Sequence, residues 1–388
     1  MKILQLHNKY QQLGGEDSVI HIESLLLNAH GQQVDLLEVS NDHIQSIWGK
    51  VSAAVGCVYS KSSKQDVQAA VFRYEPDVVH VHNFFPLFTP SIYDACENVG
   101  VPVVQTLHNY RLICPGALLM REGRVCEDCI TGSPFQAVIH GCYKNSRIGS
   151  FFVARMVDDH RRRQTWQKKV ARYIALTEFA KQKFIQAEFP SDKIVVKPNF
   201  SAITFDEGKE LRTGKPYALF VGRLSHEKGV NTLLEAWDDL LLPLHLVGDG
   251  PLFNKSKCSG SKSISVLGRL SPADVASQMS EASFLVMPSE WYEGFPMVLV
   301  EAFAKGLPVV ASRLGSLAEI VQDGITGLHF EAGNPIDLAD KVRWMRDNPI
   351  ERKKMGKNAR QIYLERYTPE TNYKMLMQIY QDAIDSHA

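Results

Sequence analysis

Short apolar runs ending in glycine or polar residues recur along the chain and alternate with stretches of helical period. Runs at residues 2–7, 34–39, 77–83, 101–108, 173–177, 194–196, 217–222, 244–247, 264–270, 284–287 and 307–312 predict buried strands. After the first of them, Val19, Ile22, Leu25, Leu26 and Ala29 fall at helical spacing, and Gly31 ends that helix. Alternating strands and helices predict an α/β fold, with parallel sheets covered by helices on both faces. The polar stretch 201–215 breaks the rhythm and predicts a linker. It divides the chain into two doubly wound, Rossmann-like domains, residues 1–205 and 206–367, expected to face a cleft. A last helix, about 369–387, carries the apolar stripe Leu376, Ile379, Tyr380, Ala383 and Ile384. That stripe must be buried, so residues 368–388 are expected to pack back on the first domain, with a hinge at Tyr367–Thr368.

Composition narrows the picture. A chain of 388 residues can bury two cores. The formal net charge is zero, so no global field recruits nucleic acid or anionic lipid. No apolar run is long enough to predict a membrane span. The chain enters a strand directly from Met1, which predicts no signal peptide and a cytoplasmic protein. The seven cysteines are then expected to be thiols or metal ligands.

The chemistry gathers in the stretch from Pro288 to Gly306. It follows a buried run and must turn into a helix. Gly294 frees the backbone, and Pro296 suits a first helical turn. The positive end of that helix favours an anion. Glu293 is expected at its mouth and Glu301 two turns inside, roughly 12 Å apart at helical rise. Two carboxylates at that span suit hydroxyl groups at either end of a nucleotide-diphosphate sugar. Upstream, Arg223 and Lys228 flank a short loop after the 217–222 run. Two cations at the carboxyl end of a strand can hold a diphosphate leaving group. A surface salt bridge through Glu227 is the plainer alternative.

Glu293-Gly-Phe-Pro-x4-Glu301 resembles the paired-glutamate motif of the retaining glycosyltransferases of family 4, which have the two-lobed GT-B fold. Gly222-Arg223-x4-Lys228-Gly229 matches the same family, and Thr106-x-His108 resembles its N-terminal pattern more loosely. The resemblance covers most of residues 215–330. It implies an enzyme that moves a sugar from a nucleotide-diphosphate sugar, with uridine diphosphate first and guanosine diphosphate second, to a glycan or glycolipid acceptor with retention. Arg223 and Lys228 would take the pyrophosphate, Glu293 the sugar, Glu301 the ribose, and His108 would position sugar and acceptor. Main-chain contacts would come from Gly294, Phe295 and Met297, since Pro296 has no N–H, and from Gly268, Arg269 and Leu270 under the base. Gly15 would reach the donor phosphate, while Glu16 is open between donor and acceptor. No Asp-x-Asp motif stands in a plausible place, so no catalytic metal is expected. A Gly-x-Gly-x-x-Gly fingerprint is also absent, and Gly14-Gly15 alone reads equally as a turn.

Three further features remain. Cys114, Cys126, Cys129 and Cys142, in an insert at residues 114–142, are spaced for a structural zinc. Buried free thiols, a Cys126/Cys129 redox pair, or His140 replacing one ligand are the alternatives. Residues 151–173 predict one helix with a basic middle around Arg161, Arg162 and Arg163. It is either a solvated face or a peripheral contact with the inner membrane surface, with Trp166 at the interface. His80 and His82 read as structural, with His82 a lesser site candidate. Two other functions fit the fold: an epimerase needing no acceptor, and a nucleotide-sugar sensor that turns nothing over. A phosphorylase would need a cofactor lysine that no local pattern marks.

Overall fold

A computed structural model describes residues 1–9, 15–40, 56–202, 216–258 and 261–387. Most of the expected linker, residues 203–215, and Gly14 lie outside the described residues. The chain divides into two compact units. One comprises Met1–Arg121, Cys126–Asn199 and Asn372–Ala388; the other comprises Phe200–Thr371 with Glu122–Val125.

The first unit is built on six parallel strands: β1 Lys2–Lys9, β2 Gln33–Ser40, β3 Val78–Asn83, β4 Val103–Leu107, β7 Arg172–Ala175 and β8 Ile194–Val196, in the order β2-β1-β3-β4-β7-β8. A small hairpin, β5 Met120–Arg121 and β6 Arg124–Val125, lies in the cysteine insert. β3 and β4 are buried on both faces, which explains their unbroken apolar character. The helix Pro369–Asp385 packs on this unit through Asn372, Leu376, Ile379, Tyr380 and Ala383.

The second unit repeats the plan with β9 Ala218–Val221, β10 Leu244–Val247, β11 Ile264–Gly268, β12 Phe284–Met287, β13 Val309–Ser312 and β14 Gly327–Phe330. The order is β11-β10-β9-β12-β13-β14, and the pairings are parallel. Alternate residues feed opposite cores: Ala218 and Phe220 go to one face, Leu219 and Tyr217 to the other. The sheet reverses its winding between β9 and β12. Ligands of such sheets bind outside the carboxyl ends of the strands at that crevice.

Two helices depart from expectation. In the first, Gly15–Ala29, the buried positions are Val19, Ile20, Glu23 and Leu27, while Leu25 is 56% exposed. The buried stripe is therefore rotated to bring a carboxylate inward, because that carboxylate has buried partners. The expected helix over 151–173 is two: Arg147–Arg162 and the single turn Thr165–Lys168, broken where Gln164 takes φ 55°. Trp166 is not at any surface. It is 1% exposed and sits among Phe84, Tyr93, His160 and Phe189. The membrane contact through Trp166 is thereby corrected. The neighbouring cations are also engaged: Arg162 with Asp158, Lys169 with Asp94 and Glu97. No helix among the described residues is long and apolar enough to cross a membrane.

Candidate active site

In the second unit, the loops after β9 and β12 flank the winding reversal, and they carry the residues singled out from sequence. The β9 loop brings Arg223 and Lys228; the β12 loop brings Glu293. Lys228 Nζ donates to Glu293 Oε1 at 2.7 Å and to Oε2 at 2.9 Å. Ser289 Oγ donates to the same Oε1 at 2.6 Å, and its own carbonyl accepts from Ser312 Oγ at 2.6 Å. Glu293 is thus a buried carboxylate held by a lysine and a strand-end serine. The lysine also lies 5.5 Å from the Trp291 ring centroid. Sequence reading missed Ser289 and Trp291. Their proximity to Glu293 within one loop was the available signal.

The salt bridge through Glu227 is not formed. Glu227 Oε1 accepts from Ser225 Oγ at 2.6 Å. Arg223 is exposed and has no ion-pair partner among the described residues. The two loops meet through Gly229, at φ 69°, where an added Cβ would lie 1.8 Å from the Pro288 carbonyl oxygen. Only glycine allows that approach. A second backbone contact, Glu290 N to the Glu227 carbonyl at 2.9 Å, closes it.

The following helix is Met297–Ala304, with Pro296 as its N-cap at ψ 107° rather than in its first turn. Glu293 is therefore outside the helix, and the helical spacing expected between the two glutamates does not apply. Only the residues from Met297 to Glu301 advance at helical rise, roughly 6 Å. No side chain caps this helix start. The Glu301 carboxyl has no hydrogen-bond or ion-pair partner among the described residues, and burial raises it above the usual value. On the other flank β11 is an edge strand. The Gly268 carbonyl accepts from Gly248 N at 2.8 Å, which leaves it one further lone pair. Arg269 is exposed and Leu270 half-buried.

In the first unit, His108 follows the interior strand β4 and is half-buried. Its Nε2 lies 3.1 Å from Nδ1 of His82. Behind them is a buried polar group. Glu23 Oε1 lies 3.3 Å from both His80 Nδ1 and His82 Nε2, and Lys197 Nζ is 3.4 Å from Glu23 Oε2. Lys197 also donates to Asn372 Oδ1 at 3.0 Å, and His80 Nδ1 meets Tyr380 Oη at 2.7 Å. Burial alone would raise the Glu23 carboxyl, but Lys197 and the two histidines outweigh it and hold it well below its usual value. Burial, then His80, pushes His82 down to about 3. Burial, then His82, pushes His108 well below the usual imidazole value. Glu23, His80 and His82 offer ligand atoms within 4.8 Å of one another. The Lys197 ammonium already supplies the cation there.

Gly15 opens the first helix and is exposed, but Glu16 and Asp17 follow it in the same turn. Those carboxylates complement the helix dipole themselves and would repel a phosphate.

The four insert cysteines are brought toward one another. Burial raises Cys129 to about 12, and Cys114, Cys126 and Cys142 add to that. No three of their sulfurs lie within 4.8 Å of one another. His140 is exposed. Arg161 donates to the carbonyls of Cys129, Ile130 and Gly132, and Lys183 pairs with Glu127 at 2.8 Å, so the insert is also anchored from two helices.

Two parallel-sheet units, with cations after the first strand and acids after the fourth strand of the second unit, define a two-lobed glycosyltransferase of the GT-B type. The description "Glycosyltransferase Family 4" matches residues 51–201, and "Glycosyl transferases group 1" matches residues 202–362. An uncharacterized glycosyltransferase of Methanocaldococcus jannaschii is 30% identical over 298 residues, covering 74% of this chain and 78% of the relative. The alpha-D-kanosaminyltransferase of Streptomyces kanamyceticus is 23% identical over 376 residues, 92% of this chain and 89% of the relative. Among solved structures, Anabaena HepE in complex with UDP has a TM-score of 0.68 at 20% identity, covering 97% of this chain and 99% of that one. The chain belongs to glycosyltransferase family 4.

Proposed function

We propose that this enzyme transfers a sugar from a nucleotide-diphosphate sugar, with retention of configuration, to a lipid-linked or polysaccharide acceptor of surface glycan synthesis. The observation that carries the reading is the Lys228–Glu293 pair in the loops after β9 and β12, together with an Arg223 guanidinium and a Glu301 carboxyl that have no ion-pair partner among the described residues. Lys228 and Arg223 take up the charge that develops on the leaving diphosphate, so no divalent ion is needed. Glu293 accepts from sugar hydroxyls and keeps Lys228 aimed. Glu301 accepts from the ribose; its cost of burial is repaid only when such a partner arrives. The uncapped N–H groups around Phe295 and Met297 face the same anion, with Gly294 giving the chain its turn. Gly268, Arg269 and Leu270 serve the base through their backbone groups. His108 positions sugar and acceptor. Gly15 is left out of the phosphate contacts because of its acidic neighbours. Uridine diphosphate is the first choice of donor, supported by the ligand of the HepE structure; guanosine diphosphate is second. The four cysteines of the insert are read as a structural zinc site, since four thiols with one two-residue knuckle suit that ion.

Lys228→Ala and Glu293→Ala should each lower turnover by about a hundred- to a thousandfold, the scale of losing one transition-state charge partner. A screen of uridine and guanosine diphosphate sugars with a glycan acceptor reads this. Donor binding with no product would mark a sensor instead, and nucleotide release without acceptor an epimerase. Crystals soaked with either diphosphate that show none beside Arg223 and Lys228 would overturn the reading.

A further inference from the structure

We propose that Glu23, acting through His82, fixes His108 as the tautomer protonated at Nε2, so that its Nδ1 presents a lone pair to a hydroxyl of the bound sugar or acceptor. The inference deepens the role given to His108 above and rests on it.

The argument runs outward from the buried carboxylate. Glu23 is 1% exposed, and the Lys197 ammonium 3.4 Å away holds it as an anion. A carboxylate only accepts hydrogen bonds. His82 Nε2 is buried with Glu23 Oε1 at 3.3 Å and no better partner, a charge–dipole contact rather than a well-formed hydrogen bond. A nitrogen lone pair facing that oxygen would be repelled, so Nε2 of His82 carries the proton. His82 is neutral, so its Nδ1 is an acceptor. The partner 3.1 Å from it, His108 Nε2, must then donate. His108 is neutral too, which leaves its Nδ1 unprotonated. The reverse arrangement would turn the lone pair of His82 toward Glu23.

The other groups facing this chain leave the assignment unchanged. His80 Nδ1 faces the same Glu23 Oε1 at 3.3 Å besides Tyr380 Oη at 2.7 Å, so its proton sits on Nδ1, and the Thr106 hydroxyl, 2.8 Å from Nε2, rotates to suit; neither contact reaches Nδ1 of His82. Gln5 Nε2 donates to Glu23 Oε1 at 3.2 Å, and His7 is occupied by Asp17 at 2.8 Å. Only Glu23 imposes a direction. Glu23 and His82 are thus positioning residues, and His108 has no other partner among the described residues.

An imidazole fixed this way recognises a hydroxyl proton and rejects a bare acceptor. Substrates whose hydroxyl at this place is replaced by fluorine or a methyl ether should lose rate, while an amine should be tolerated.

The test is nitrogen-15 NMR of the imidazoles in the full-length protein without substrate, at neutral pH. The expected result is a pyridine-type Nδ1 and a pyrrole-type Nε2 for His108. A pyrrole-type Nδ1 in the unaltered protein overturns the proposal and needs no variant that folds. In His82→Gln and Glu23→Gln the fixed tautomer should be lost. Turnover should then fall roughly ten- to a hundredfold, the scale such partners have around metal-bound imidazoles, with little change in donor KM. Retention of the tautomer in both variants shows that Glu23 and His82 do not set it, and overturns the proposal. The functional reading fails separately. If His108→Ala turns over at the unaltered rate, the hydroxyl contact is overturned while the NMR assignment stands.

Discussion

Glu23 occupies a helix position that periodicity alone would give to an aliphatic side chain. A buried carboxylate is tolerable only when its partners are in place, and here they come from three other elements. This sets an acid limit on stability. Unfolded, His82 titrates near 6.5 and Glu23 near 4.5; folded, His82 lies at about 3 and Glu23 well below 4.5. In both cases the unfolded chain binds the proton first, so the stability is fully present above the unfolded values and is lost as pH falls. The melting temperature of the first unit should therefore decline from about pH 6.5 toward 3, and less steeply in His82→Gln. A flat profile over that range would contradict the account. The same residue shows why part of the molecule was illegible. Val19 and Leu25 obey helical spacing equally well, and nothing local tells which faces inward until Lys197, His80 and His82 are beside the helix. Lys228 and Glu293 were legible, because each stands at a strand end marked by an apolar run and a glycine.

At the scale of elements, β3, β4, β12 and β13 were readable because a strand buried on both faces is an unbroken apolar run, whereas β14, which follows directly on a glycine-marked turn, was not readable as a strand. The short helix Met297–Ala304 was less so: Pro296 suits a first turn and an N-cap alike, and the chain chose the cap. The break at Gln164 has no sequence mark, since it follows from Trp166 turning into an aromatic cluster. The cysteine insert is the element whose chemistry can be checked most directly. Arg161 and Lys183 hold its rim, while Cys114 and Cys129 are buried and Cys126 and Cys142 half-buried. Purified protein should carry stoichiometric zinc by mass spectrometry. Chelation should loosen the insert, seen as faster hydrogen exchange over residues 114–142, without abolishing donor binding. Metal-free protein with four readily titrated thiols would refute the site.

At the scale of the whole molecule, each unit owns a sheet and a core, but the first is discontinuous in sequence. Its covering helix supplies Asn372 to Lys197 and Tyr380 to His80, so both buried histidine and lysine networks depend on it. Removing residues 369–387 should expose amides of β3 and β4 to exchange while leaving β9 and β12 protected. Equal loosening of both sheets would show that the helix supports the molecule in some other way.

That discontinuity has a consequence for synthesis on the ribosome. Strands made first wait, with an ammonium and an imidazole lacking their amide and phenol, until the entire nucleotide-binding half has emerged. The amino-terminal half is begun first and completed last, so a nascent chain stalled before Asn372 should engage chaperones through a half that looks nearly finished.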